Sequence, residues 1–322
     1  LEHLAGCLRI ISMRALLTWL MLSHLLLADE RFDFERPLMG TMFRISSYAP
    51  SRDVAQKAAE AAFAEAEAMN AVASDYIADS ELLGLSKKTV GEPIVVSPRL
   101  FSLVSQARAM AELTDGAFDP TLGPLTKLWR ESRRRQKLPA PATLAQARQS
   151  SGYRLLACDA DQRTITLKAA GMRLDLGGIA KGQAADAMLA VFFQHQLPRT
   201  SITAGGDVRL GDPPPGQKGW AIGVRTFDRE EDSSTLTLAN CAVSTSGDLQ
   251  QAITIDGIRY AHIIDPQTGL GLTRPVAATV IAPTAAKSDA LATACCVLPP
   301  KKARDLIKKI PGCTLHLPGP PP

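Results

Sequence analysis

The sequence predicts an α+β protein in which helices are layered on a mixed sheet. Short alternating segments recur along the chain without a regular strand–helix–strand rhythm, and two-sided helical segments lie between them. Glycine pairs stand at strand ends, as in Gly177-Gly178 and Gly205-Gly206. With 322 residues, 46% of them apolar, the chain can bury a sizeable core as one large domain or two smaller ones. Its low aromatic content (5%) and its 23 Gly and 22 Pro argue for a loop-rich fold and against a coiled coil or a disordered chain.

Met13-Arg14 followed by the apolar stretch 15–28 reads as an export signal. The stretch is too short to span a bilayer comfortably and gives way to Asp29-Glu30-Arg31. Residues 1–30 are therefore expected to be signal and upstream residues, 31–300 the functional domain and 301–322 a C-terminal tail. Leu4-Ala5-Gly6-Cys7 has the look of a lipidation box, but it precedes the apolar stretch, whereas a lipoprotein signal needs the reverse order. Cys158, Cys241, Cys295, Cys296 and Cys313 would remain after cleavage. An odd number gives no disulfide framework, and the Cys295-Cys296 pair is expected to pack in the core.

Further along, Met42–Ser46 alternates as a strand after a Gly40 turn. Asp53–Ala73 is Ala-rich with helical periodicity, and Tyr76–Leu85 is a loop with a cap at Asp79-Ser80-Glu81. Pro98–Leu113 is a helix opened by Ser97-Pro98 in the favoured Ncap-N1 order. Thr114–Pro124 is a loop punctuated by Gly and Pro. Arg130–Lys137 is a charged run expected to be a solvated loop. Helices are expected at Thr143–Ser150 and Gly182–His195, and strands at Arg163–Leu167 and Met172–Leu176. Six more strands follow, at Ser201–Thr203, Val208–Leu210, Trp220–Val224, Ser234–Leu238, Ala252–Ile255 and Thr279–Ile281. The net charge of +4 is mild, and there is no aromatic-interleaved basic patch, so nucleic acid is not an expected partner.

Four constellations carry chemistry. Asp289 and Thr293 stand four apart, so a helix displays both on one face. A carboxylate and a hydroxyl there suit a hard cation such as Mg²⁺, or simply a helix cap and a surface residue. Leu174–Gly182 runs from a strand into a helix through Gly177-Gly178. Its free N–H groups and Lys181 suit a phosphate, although a tight strand–helix turn needs the same glycines. Gly205-Gly206-Asp207 ends another strand and reads equally as a turn. His262 lies in a polar strand-end cluster, Tyr260–Gly269, where it is either structural or a general base.

Taken in order, these pieces resemble the ApbE-type FAD:protein FMN transferases between Arg36 and Val297. The resemblance is carried by Met39-Gly40-Thr41, Ser74-Asp75-Tyr76, Asp79-Ser80-Glu81 and Thr114–Leu125. Asp175–Gly182, Gly205-Gly206-Asp207, Ser244–Asp248, His262–Gly269 and Pro283–Thr293 complete it. It implies an ApbE-like (T-fold-like) fold with FAD in a ligand cleft. It also implies Mg²⁺-dependent transfer of FMN from FAD to a Thr or Ser hydroxyl of a target protein, releasing AMP.

By the same resemblance, Met39, Tyr76, Ala117, Phe118, Asp119, Asp175, Lys181 and Ile264 line the FAD site. Asp289 and Thr293 bind Mg²⁺ through side chains and Gly178 through its carbonyl, while His262 helps deprotonate the acceptor hydroxyl with Asp289 close by, the two roles being either exchanged or shared. The expected partner is a membrane electron-transfer subunit and the expected location is the periplasm or the inner-membrane surface. The same cleft would serve an FAD pyrophosphatase, and a non-catalytic periplasmic flavin-binding protein would need no metal pair.

Overall fold

Strands β1 (Glu30–Leu38) and β2 (Thr41–Ala49) form an antiparallel hairpin at the head of the fold. Met39 and Gly40 join them, both at positive φ, the two-residue turn that matches strand twist. In the computed structural model residues 29–225, 233–247 and 252–317 are described; the expected export segment and Cys7 lie outside them. Alternation in β2 buries Phe43 and Ile45 completely. No helix among the described residues is long and apolar enough to cross a membrane.

Helix α1 (Arg52–Ala73) starts where the Ser51 hydroxyl accepts the Val54 N–H. It buries Ala55, Ala58, Ala59, Ala62, Phe63, Ala66 and Met69, a stripe at three- and four-residue spacing. Ser80 caps α2 (Glu81–Leu85), as the Asp79-Ser80-Glu81 cluster predicts. After β3 (Ile94–Val95) comes α3 (Pro98–Leu113), with Ser97 and Pro98 in the expected positions.

Helix α4 (Gly123–Arg135) corrects the expectation of a solvated loop over residues 130–137. Leu125, Trp129 and Ser132 bury one face, so the charged residues ride on a helix anchored by its apolar side. Arg133, Arg134 and Arg135 occupy its last turn, where cations complement the helix dipole, and Gln136 leaves at φ 51°. Helix α5 (Pro141–Gln149) follows, and β4 (Leu156–Asp159) and β5 (Thr164–Leu167) form a three-stranded sheet with β3. Met172–Leu176 is not a strand. Met172, Leu174 and Leu176 are buried in alternation, yet among the described residues the segment makes an isolated Arg173–Leu122 bridge, beside which the Asp175 N–H donates to the Pro120 carbonyl. Its period of two reports one-sided burial without a partner ladder.

Helix α6 (Ala180–Gln194) leads to β6 (Thr200–Ala204) and β7 (Asp207–Leu210). The hairpin β8 (Trp220–Arg225) and β9 (Ser233–Leu238) stands apart from the main sheet. Then come β10 (Ala242–Gly247), the small hairpin β11 (Ile253–Ile255) and β12 (Ile258–Tyr260), β13 (Ala277–Ala282) and α7 (Ala285–Val297). The stretch expected as a tail carries α8 (Pro300–Ile307) and β14 (Thr314–His316), which pairs with β13.

Among the described residues the main sheet has seven strands in the order β1-β2-β6-β7-β10-β13-β14. Every pairing in it is antiparallel, where a mixed sheet was expected. Helix α1 packs on α6, α6 on α7, and α7 lies over β10 and β13. The α6–α7 crossing is tight: a Cβ on Gly182 would stand 2.3 Å from the Ala285 carbonyl oxygen, so only glycine admits it. Helix α7 is buried nearly all round, Asp289 included. A smaller apolar cluster of Leu125, Trp129, Tyr260 and Ile264 supports the opposite wall of the cleft.

Candidate active site

A cavity of about 650 Å³ opens between α4, α6, α7 and the strand ends of the main sheet. Helix α7 presents Asp289 and Thr293 to it from one face, as their spacing predicts. The Thr284 hydroxyl accepts the Lys287 N–H, and the Asp186 carboxylate of α6 accepts the Ala285 and Ala286 N–H groups at 2.9 Å each. The α7 N-terminus is thus fixed by its neighbouring helix as well as by its own cap.

Lys181, in the first turn of α6, is the electrostatic centre. Its Nζ donates to the Gly177 carbonyl at 3.0 Å and lies 3.4 Å from both Asp289 Oδ2 and Asp207 Oδ2. Both carboxylates are 3% exposed, so one ammonium faces two buried anions. Burial, then repulsion from Asp207, push the Asp289 carboxyl up to about 7 despite Lys181. Burial alone would lower the Lys181 ammonium, but Asp289 and Asp207 outweigh it and raise it.

This charge deficit bears on the Mg²⁺ that the resemblance implies. The Thr293 hydroxyl lies 3.3 Å from Ser246 Oγ, and a Cβ on Gly178 would come within 3.2 Å of it. Carboxylate, hydroxyl and the Gly178 backbone therefore converge beside surplus negative charge, a donor set of oxygens that suits a small hard cation.

Most of the residues expected from the sequence meet at this cavity. Tyr76, Ala117, Phe118, Asp119, Asp175, Gly178, Lys181, His262, Ile264, Asp289 and Thr293 all line it. Met39 does not. It sits in the β1–β2 turn, beside Thr41, whose hydroxyl approaches Gly205 at the rim. Asp119 is committed within its own loop, accepting from Thr121 N–H at 2.8 Å, Thr121 hydroxyl at 2.6 Å and Tyr153 N–H at 2.9 Å. Burial still raises its carboxyl above the usual range. A crevice of about 1220 Å³ adjoins the cavity behind this loop, but of the expected residues only Ala117 and Asp119 reach it.

The structure adds residues that sequence reasoning gave no role. Asp207 completes the Lys181 pair, Ser246 braces Thr293, and Trp129, Arg130 and Arg133 of α4 line the wall. The Gly205-Gly206-Asp207 motif was the available signal for the first. Leu122, Thr126, Trp129, Arg130 and Arg133 form a helical stripe that the charge run conceals.

Residues 39–316 match the ApbE family. The chain belongs to the ApbE family. It is 32% identical over 293 residues to an FAD:protein FMN transferase of Treponema pallidum, covering 85% of this chain and 81% of that protein. It is 29% identical to one of Salmonella typhimurium over 85% of this chain and 81% of the relative. Among solved structures, the ApbE protein of Thermotoga maritima superposes with a TM-score of 0.79 at 32% identity, covering 89% of this chain and 93% of that one. The flavin transferase ApbE of Vibrio cholerae gives 0.80 at 26% identity, with 89% and 93% covered. The α+β fold of this chain is thus that of the ApbE proteins.

Proposed function

We propose that this protein is an FAD:protein FMN transferase: it moves FMN from FAD to a Thr or Ser hydroxyl of an acceptor protein and releases AMP. The observation that carries the reading is the single cavity uniting Lys181, the Gly177-Gly178 turn, Asp289, Thr293 and His262 in a chain of this family. The Gly177-Gly178 turn lets a pyrophosphate approach the backbone closely, and the α6 N-terminus turns its positive dipole toward it. At that N-terminus the Leu176 carbonyl accepts the Ile179 and Ala180 N–H groups and Asp289 Oδ2 lies 3.4 Å from the Gly182 nitrogen, so what the helix end brings to a phosphate is chiefly its positive dipole. Lys181 brings a cation already charged and held toward the same place.

Asp289, Thr293 and the Gly178 carbonyl are the residues that would hold Mg²⁺. When bound, that ion would neutralise charge developing on the phosphates. His262 faces the same cavity and is the proposed acceptor of the hydroxyl proton, with Asp289 sharing that role. Attack on the phosphorus of the FMN half forms the new phosphoester and breaks the pyrophosphate bond, so AMP is the leaving group.

We further propose action on periplasmic or membrane-bound electron-transfer subunits, an expectation that rests on the reading of residues 13–28 as a signal. Intact-mass spectrometry tests the function. With FAD, Mg²⁺ and a candidate acceptor subunit, the acceptor should gain the mass of one FMN, and EDTA should prevent it. Release of AMP and FMN with no labelled acceptor would point instead to FAD hydrolysis.

A further inference from the structure

Arg130 joins three walls of the cavity without belonging to the charge cluster around Lys181. Its guanidinium lies 2.6 Å from Asp75 Oδ2, on the loop after α1, and 3.3 Å from Asp175 Oδ2, on the turn before α6. It also covers the ring of Tyr76 at 4.2 Å from the centroid. Tyr76 is 76% exposed, an unusual state for an aromatic that lines a cavity. With one face under the guanidinium, the opposite face is the one left to a ligand. Asp175 in turn accepts the Gly177 N–H at 2.9 Å, so the chain of contacts runs from the aromatic to the glycine turn.

We propose that Arg130 is a positioning residue that fixes Tyr76 as a stacking platform for one aromatic ring of FAD. Through Asp175 it sets the distance between that platform and the Gly177-Gly178 turn where the pyrophosphate lies. The inference rests on the FAD reading above. An exposed side chain on a loop samples several rotamers, and a planar cation that stacks on its ring and forks to two carboxylates restricts it before ligand arrives. The same contacts explain why Asp75 and Asp175 tolerate each other. Burial, then Asp175, raise the Asp75 carboxyl, and Arg130 offsets part of that strain. Removing the guanidinium would leave two carboxylates facing one another and push the Tyr76 loop from the glycine turn.

The test is calorimetric binding of two probes, riboflavin and AMP, each carrying one of the two rings, to the full chain. Arg130→Leu and Tyr76→Ala should each weaken one probe about tenfold and leave the other within about twofold, and the double variant should lose no more than either single one. Arg130→Lys keeps the charge without the planar fork and should fall between, which guards against a Leu variant that folds poorly. The KM for FAD in FMN transfer to an acceptor protein should rise with kcat little changed. Unchanged affinity for both probes in Arg130→Leu, equal loss of both, or losses that add in the double variant would overturn the proposal. Wild-type protein that binds the probes but, given FAD, Mg²⁺ and acceptor protein, adds no FMN to the acceptor would sink the transferase reading while leaving the binding comparison readable.

Discussion

Two buried carboxylates and one ammonium meet at Asp207, Asp289 and Lys181, and the imbalance sets how the site responds to pH. The Asp289 carboxyl stands at about 7 in the folded chain, above its ordinary 3.8. The folded state therefore binds more protons than the unfolded one between those values, and metal-free stability should fall as pH rises through that window. Added Mg²⁺ should raise Tm more near pH 8 than near pH 5, because at the lower pH the ion must first displace a proton. Equal shifts at both pH values in a thermal melt would remove Asp289 from the metal set.

Asp289→Asn keeps the shape and removes the charge. Transfer should drop by about 100-fold or more while the Tm near pH 8 holds or rises. Asp289 and Thr293 are legible in the sequence because their relation is local, one helical turn. Asp207 has no such relation to Lys181, since only the β6–β7 turn, folded against α6, brings them together.

Helix α7 has a borrowed cap, Asp186, beside its own at Thr284. Asp186→Ala would leave the Ala285 and Ala286 N–H groups without their carboxylate and break the 2.8 Å ion pair with Arg209. A loss of about 2 kcal/mol in urea unfolding is expected, with a larger proportional loss of transfer because α7 carries Asp289 and Thr293. The helices with their own signals, such as Ser97-Pro98 before α3, are readable from sequence. Helix α4 is not: charges hide its period, and the burial of Trp129 and Ser132 that stabilises it comes from distant segments. Met172–Leu176 shows the converse, alternation without a strand, since one face is buried but no neighbour supplies a ladder.

At the scale of the molecule, the order of the sheet is what sequence reading misses. Individual strands are visible as alternating runs, but β2 beside β6, or β7 beside β10, follows from no local pattern. β14 covers the outer edge of β13, although its three residues resemble nothing diagnostic. Ending the chain at Ile310 should bare that edge, lowering the unfolding midpoint and increasing light scattering on storage.

The placement of β1 and β14 at opposite margins of one sheet has a bearing on timing. A ribosome delivers the chain from β1 onward, and the first hairpin can close as soon as it emerges. The sheet that links it to α7 waits for strands made more than a hundred residues later. Asp289 leaves the tunnel 108 residues after Lys181. A nascent chain therefore holds the glycine turn and Lys181 well before it holds the carboxylate that answers them. The pairing of Lys181 with Asp289 is therefore a late event, unable to guide the early steps of folding.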